Sequence, residues 1–492
     1  MENQTQAGLR RIAIEPISRV EGHGKITLLL DDEGHVKQAR LHIVEFRGFE
    51  KFIEGRPYYE LPLLVQRLCG ICPVSHHLAA AKAIDQINGV KQLTPAALKL
   101  RQLLHWGQLL QSHALHFFHL ASPDLLFGYD SDVSKRNIIG VLKEYPEIAV
   151  QGVKIRKFGQ EVIRAVSGKR IHGIAALPGG MNQPLDREVY QYLTAEIDQI
   201  VEWSKDAVEL ARRLCLEDTE LFNSFASTES PYMSLTDEKG GLEFYDGNLR
   251  VKNADGSILN DQFPNERYTD LIQEEAKSWS YMKFPFLRSI REAQGGDSGW
   301  YRVGPLARIN NCDSISTPLA EHYRQDFMKI AGNPLAHQNL AFHWARMIEA
   351  LHCAESIQKV LADPDLFSLD LVAKGNRQSS GIGIIEAPRG TLFHHYEVND
   401  DDQVTMANLI VSTTSNNFAM NEAVCSAANQ HIDGNEVTPG LLNLLEVAVR
   451  SYDPCLSCAT HAIGKMPLHV EMLDSKGQLI HQLSKNSNGE FS

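Results

Sequence analysis

Residues 67–76 read Arg-Leu-Cys-Gly-Ile-Cys-Pro-Val-Ser-His, and residues 453–461 read Asp-Pro-Cys-Leu-Ser-Cys-Ala-Thr-His. Each stretch holds a C-x-x-C pair, Cys69/Cys72 and Cys455/Cys458, followed by a histidine three or four residues on. In each, a proline stands where a helix would begin. Pro73 suits the first helical position with Cys72 as N-cap, and Pro454 suits it with Asp453 as N-cap. A helix N-terminus carries partial positive charge and lowers a thiol's pKa toward the thiolate, the form that binds soft metals. At helical spacing Cys455, Cys458 and His461 share one face, so two sulfurs and a ring would face one point.

Almost the whole chain separates the two pairs. Zinc ribbons place their pairs roughly 15–20 residues apart, and neither pair lies in a βαβ thioredoxin context. A site closed by the two ends of a long chain joins distant elements in a core. The spacing therefore predicts a metal centre, with zinc as the default metal and a redox metal as the sharper option. The remaining cysteines, Cys215, Cys312, Cys353 and Cys425, are isolated and read as small buried hydrophobes.

The chain has 492 residues, 43% hydrophobic and 22% charged, with a formal net charge of −13. This is an ordinary globular composition, and its acidity argues against a nucleic-acid partner or a polybasic membrane surface. At roughly 150 residues per domain the length alone would allow about three domains. The polar opening MENQTQAGLR lacks a signal-peptide pattern, and no apolar run reaches the ~18 residues of a membrane helix. A cytoplasmic protein without membrane insertion is the expectation, and thiols there serve more often as ligands than as disulfides.

Strand patterns occupy 25–30 and 36–46 around a turn at 31–34. Thr94–Pro95 opens a helix to about residue 120, a second starts near Asp186, and a third spans about 334–361. Hairpins are expected at 241–260, strands at 381–411, helices near 418–431 and 438–450, and a hairpin at 468–483. The fold class is α+β, mainly α: a core bundle of long helices with small peripheral β-sheets.

These motifs resemble the signatures of the nickel–iron hydrogenase large subunit. Further stretches agree: Arg19-Val-Glu21-Gly-His23, Arg47-Gly-Phe-Glu50, Ser112-His113 through His119-Leu120, Pro178-Gly-Gly180 and Ala387-Pro-Arg389-Gly390. The likeness runs from about residue 11 to about 473. VEFRGFEKF, SYMKFPFL and VGPLAR most resemble the hydrogenase subunit of soluble bidirectional NAD(P)-linked enzymes.

The resemblance implies reversible heterolytic cleavage of H2 at a Ni–Fe centre whose iron carries CO and cyanide. It makes Cys69 and Cys455 terminal nickel ligands, and Cys72 and Cys458 bridges to iron. Arg389 would overhang the metals, and Thr413 would donate to cyanide, although Ser412-Thr413 stands where the family often has Pro-Ser. His76 would hydrogen-bond a bridging thiolate, and Glu21 would take the proton from a nickel-bound one. Glu50, His461 and the Leu409 carbonyl would hold Mg²⁺. His105, His113, His116 and His119 sit near helical spacing, but core packing is the plainer reading.

The chain carries no cysteine set for iron–sulfur clusters and no dinucleotide fingerprint. Electrons would pass to an iron–sulfur small subunit, then through flavin (FMN) and Fe–S diaphorase subunits to NAD(P). In this family the mature chain ends at the second motif's histidine. Residues 1–461 would thus form one catalytic domain, and 462–492 a tail removed by a maturation endopeptidase. A permanent C-terminal hairpin is the alternative. Two rival functions are a complex I-type quinone-pocket subunit, whose relatives lack the four cysteines, and a zinc-stabilised structural protein.

Overall fold

The computed structural model describes residues 9–332, 334–432, 438–460, 468–474 and 478–485. Its spine is a set of long helices, Pro95–Leu115, Pro146–Ser167, Arg187–Leu216 and Ala341–Leu361. Arg187–Leu216 buries Val189, Leu193, Ile197, Ile200, Ala207 and Ala211 on one stripe, as their spacing predicts. Its N-cap is Asp186, whose carboxylate accepts from the N–H groups of Glu188 and Val189, each at 2.9 Å. Thr94 caps Pro95–Leu115 in the same way, through the N–H of Ala97.

Ala341–Leu361 is the central helix and is buried on every side, polar residues included, except at Gln358 and Lys359 near its end. It packs against Arg187–Leu216 and Pro95–Leu115, and the latter packs against Pro146–Ser167. That last contact needs glycine. A Cβ on Gly159 would lie 2.7 Å from the Gly107 carbonyl oxygen, and one on Gly107 would lie 2.8 Å from Val162 Cγ1.

Among the described residues, six small sheets of two or three strands sit around the spine, each joining neighbours in sequence. Two matter for the site. Arg10–Ile14, Gly24–Leu30 and Val36–Ile43 form an N-terminal antiparallel sheet. Ser380–Ala387, Gly390–Val398 and Val404–Ile410 form another, and Pro73–Ile87 lies across it. One continuous cluster of buried apolar side chains extends from Ile17 to Ala459 and contains all four signature cysteines.

The two chain ends are held together by a partly buried ionic clamp. Ser18 donates through N–H (3.0 Å) and Oγ (2.6 Å) to Glu446. Asp124 accepts from Arg19 at 2.6 Å and from Asn443 at 3.2 Å, and pairs with Arg450. Glu446, Asn443 and Arg450 all lie on the helix Pro439–Arg450, so this clamp fixes Glu21 against the second cysteine motif.

The structure departs from three sequence expectations. The helix from Pro95 ends at Leu115 and continues as a π-turn, His116–Ala121. Pro123 follows, has no N–H to give the carbonyl four residues back, and forces the ladder to widen. The third long helix begins at Ala341 rather than 334. The preceding residues are tied elsewhere, with Ala336 paired to Asn310 and Tyr232, and Asn339 bonded to the Ala448 carbonyl. Nor does a helix start at Pro454. Asp453 adopts a left-handed conformation (φ 53°), and the segment makes only a short 3₁₀ turn at Ser457–Ala459.

Burial sets the acid limit of this core. His77, His105, His113 and His352 are each lowered to about 4 by loss of solvent. His77 accepts from the Ala176 N–H through Nε2 and faces the Pro62 carbonyl through Nδ1, an arrangement only the neutral ring satisfies. The folded values lie below the ordinary ~6.5, so the unfolded chain binds more protons below that pH. Stability is therefore expected to be flat above about pH 6.5 and to fall toward pH 4. Each of the four costs about 2 kcal/mol at pH 5. Thermal melts at pH 7 and pH 5 check this, and equal midpoints would contradict it.

Candidate metal centre

The first cysteine pair is placed by local sequence. A 3₁₀ turn, Val65–Leu68, delivers Cys69, and Cys72 is the N-cap of Pro73–Ile87 with Pro73 at its first position, as expected. The backbone N–H groups of Ile71 and Cys72 both point at Cys69 Sγ from 3.2 Å, an arrangement that favours a thiolate there.

The second pair is placed by the N-terminal segment. Glu21 and Cys455 form a parallel β-bridge, and the Leu456 N–H donates to the Glu21 carbonyl at 3.0 Å. Gly22 makes room for this crossing: at φ 84° a Cβ would lie 2.7 Å from the Ser457 nitrogen. Cys455 therefore sits at an isolated β-bridge to Glu21 and Cys458 on a 3₁₀ turn. The sulfurs still converge, by a different route from the helical face expected of the sequence.

All four sulfurs lie within 4.8 Å of one another and are buried. Cys69 and Cys455 are 3.3 Å apart, Cys455 and Cys458 2.8 Å, and Cys72 and Cys458 3.9 Å. Hydrogen bonds from Cys455 and its neighbours pull the Cys69 thiol down, whereas burial pushes Cys455 and Cys458 up. Four such thiols cannot all ionise in a dry site without a cation among them. The donor set is soft throughout, which suits nickel, iron or zinc and disfavours Mg²⁺ or Ca²⁺.

Beside the quartet lies a small cavity of mixed character. Cys72 and Cys455 line it together with His76, Ala387, Pro388, Arg389, Val411, Ser412 and Thr413. Ser75 Oγ, also in its wall, is buried without a hydrogen-bond partner among the described residues. Small polar groups on a metal would be received here by fixed donors against an apolar wall. A bare four-sulfur zinc staple has no use for such a space.

Arg389 is fully enclosed. Its Nε donates to the Asp453 carbonyl at 2.6 Å, Nη2 to Asp453 Oδ1 at 3.1 Å, and Nη1 lies 3.4 Å from Ser112 Oγ. Burial alone would lower its pKa, but Asp453 and the surrounding thiols hold it charged. Burial raises Asp453 to about 6 against the pull of Arg389 and Arg346. Thr413 Oγ1 accepts the Cys455 N–H at 3.0 Å, which leaves its own proton free to donate.

Glu21 Oε2 stands 3.0 Å from Cys455 Sγ and 3.2 Å from the Ser457 nitrogen, and Ser457 Oγ donates to Oε1. His76 lines the cavity beside Cys72; its Nδ1 pairs with His394 Nε2 at 3.1 Å, and His394 in turn meets Tyr396 OH at 2.6 Å. Of the residues expected to hold a hard cation, Glu50 Oε1 accepts the Leu409 N–H at 2.9 Å and lies 3.7 Å from Lys283 Nζ. His461 lies outside the described residues. Three of the helical histidines are packed and bonded in the core: His105 bonds the Phe244 carbonyl, His113 bonds Glu349, and His116 bonds the Arg450 carbonyl and stacks on His343; His119 is half-buried.

Sequence reading missed Ser112, Ser457 and His394 as neighbours of the site, and gave Asp453 a different task. Ser457 stands inside the second C-x-x-C and could have been suspected. His394 carries no local signal, since only the antiparallel register of its sheet brings it to His76.

Comparison with known proteins agrees with this geometry. A family profile described as HoxL-like matches residues 11–46, and one described as nickel-dependent hydrogenase matches residues 47–127 and 237–461. The chain is 42% identical to the NAD-reducing hydrogenase HoxS subunit beta of Cupriavidus necator, over 97% of this chain and all of that one. It is 41% identical to one subunit of the F420-non-reducing hydrogenase of Methanothermobacter marburgensis, over 96% of this chain and all of the relative. Among solved structures, an NAD⁺-reducing [NiFe]-hydrogenase in the H2-reduced state superposes with a TM-score of 0.90 at 55% identity, covering 92% of this chain and all of that chain. The Ni-Fe-Se hydrogenase of D. vulgaris Hildenborough shares the fold, with a TM-score of 0.73 at 22% identity, over 92% of this chain and all of that one. The chain belongs to the nickel-dependent hydrogenase family, as a large subunit.

Proposed function

We propose that this chain carries out the reversible conversion of H2 to two protons and two electrons, as the catalytic subunit of an NAD(P)-linked hydrogenase. The observation that carries the reading is the convergence of four buried thiols from both chain ends, with a carboxylate on one side and a guanidinium on the other. Cys69, Cys72, Cys455 and Cys458 would hold the metal pair, with Cys69 and Cys455 toward nickel and Cys72 and Cys458 shared with iron. When bound, the metal pair supplies the open position at which H2 is polarised and split. The cavity wall supports an iron bearing CO and cyanide, with Arg389 and the Thr413 hydroxyl as donors and Pro388 and Val411 as apolar packing.

The chain's own part is proton handling and positioning. Glu21 is within hydrogen-bond reach of Cys455 Sγ, so its carboxylate takes the proton released at that sulfur. Ser457 holds both carboxylate oxygens in place. Arg389 keeps positive charge over the site in a water-poor setting, where a fixed dipole or charge acts most strongly. The carboxylate of Glu50, the Leu409 carbonyl and His461 are assigned to Mg²⁺, which tolerates such a small protein share because it keeps several waters.

Electrons leave through a small subunit bearing iron–sulfur clusters. They reach NAD(P) through flavin- and Fe–S-bearing partners. The C. necator relative is part of an NAD-reducing hydrogenase, which supports this assembly. A cytoplasmic setting belongs to the same reading. No described helix is long and apolar enough to cross a membrane. Residues 1–461 are assigned as the working domain, with 462–492 removed by an endopeptidase after metal insertion. The hairpin Leu468–Leu473 with Leu479–Lys485 exposes Val470, Met472, Leu479 and Ile480, an apolar surface that suits a dispensable tail better than a finished exterior.

Three measurements test these assignments. The large subunit separated from purified active enzyme is expected to hold nickel and iron near one each, with infrared bands from the iron's diatomic ligands in the intact enzyme, and Cys69→Ser or Cys455→Ser to abolish H2 oxidation. Zinc alone, or retained activity in either variant, would contradict the ligand assignment. Glu21→Gln is expected to keep the metals and bands while kcat drops by about 10²–10⁴-fold, the usual share of a general base; an unchanged kcat would remove Glu21 from the proton route. Intact mass of the metal-loaded enzyme should end the chain at His461, and a tail still attached to active protein would refute its removal.

A further inference from the structure

The VGPLAR stretch, residues 303–308, ends in Arg308, one of the largest fully buried side chains in the protein. Every N–H of its guanidinium is spent. Nε and Nη2 grip the two oxygens of Glu349, each at 2.6 Å. Nη1 meets Glu386 Oε2 at 2.8 Å and the Ala387 carbonyl at 2.9 Å, and Nη2 also meets the Pro388 carbonyl at 3.2 Å. Those two carbonyls belong to the residues immediately before Arg389. The arginine thus fastens the backbone that aims another arginine at the cysteines.

Glu349 ties this grip to the rest of the site. Its Oε2 also meets His113 Nε2 at 3.0 Å, and His113 follows Ser112, the residue beside Arg389 Nη1. One turn earlier on the same helix, Ala341–Leu361, Arg346 donates to the Ser451 carbonyl at 3.0 Å, two residues before Asp453. Both backbone segments that Arg389 bridges are therefore referenced to one central helix.

We propose that Arg308 and Glu349 are positioning residues: they fix residues 387–389 against the central helix, so that the Arg389 guanidinium and the cavity wall stand in register with the cysteine quartet. A cluster that only balanced buried charge would need no directed bonds to consecutive carbonyls. Lysine cannot substitute, because three donors on a flexible stem cannot reproduce five in a rigid fork. The inference rests on the hydrogenase reading above.

The test is Arg308→Lys in the assembled enzyme. It keeps the charge and so the fold, and nickel and iron content should match wild type. The infrared bands of the iron's diatomic ligands should shift or broaden, since Pro388 and Arg389 line their cavity. kcat should fall by about ten- to hundred-fold with little change in KM for H2, as expected for a misplacement near the reacting groups. Glu349→Gln, which weakens the grip without emptying space, should move the same bands in the same direction by less. If Arg308→Lys does not accumulate, Glu349→Gln carries the test. Metal-loaded variants with wild-type bands and wild-type kcat would overturn this inference alone. Wild-type enzyme without nickel and iron would overturn the hydrogenase reading and this inference with it.

Discussion

Four thiols buried within a few ångströms of one another can all ionise only with a cation among them. Much of the rest of the structure serves that constraint. The two pairs come from opposite ends of the chain, so the fold must bring those ends together and hold them. The Glu21–Cys455 bridge and the ionic clamp of Ser18, Arg19, Asp124, Glu446 and Arg450 do this directly. The central helix does it from below, by carrying Arg346 and Glu349 to the segments that flank the quartet.

The polar groups around the sulfurs divide the work by chemistry. The carboxylate of Glu21 lies against a sulfur and can accept its proton. The guanidinium of Arg389 is fixed by Asp453, so it cannot swing in to neutralise the thiolates and close the cavity. Breaking one partner of such a buried pair leaves an uncompensated charge, which costs about 3–5 kcal/mol. That cost, together with the spent donors of Arg308, makes this side of the site rigid. Rigidity is useful where charge develops in a water-poor space.

What the sequence disclosed depended on whether a feature was local. N-caps at Asp186 and Thr94, the helix from Pro73 and the strands around residues 24–43 follow from short-range chemistry, and the structure has them. The four cysteines were legible because two C-x-x-C pairs at opposite ends of a chain point to one shared metal site far more than to a local staple. The helix expected at Pro454 failed because tertiary pairing overrode a local signal: Asp453 turned to Arg389, and Cys455 paired with Glu21. His394 was invisible because it reaches the site only through sheet register, and Ser112, although inside a matching stretch, could not be placed beside Arg389 without the helix packing.

Every functional role assigned to these residues depends on what occupies the quartet. Anomalous diffraction collected at the nickel and iron edges from the purified enzyme tests this most directly. The prediction is one nickel peak within bonding distance of all four sulfurs, and one iron peak shared by Cys72 and Cys458 on the side of Arg389 and Thr413. A single peak at the zinc edge, or no peak among these sulfurs in active protein, would contradict it.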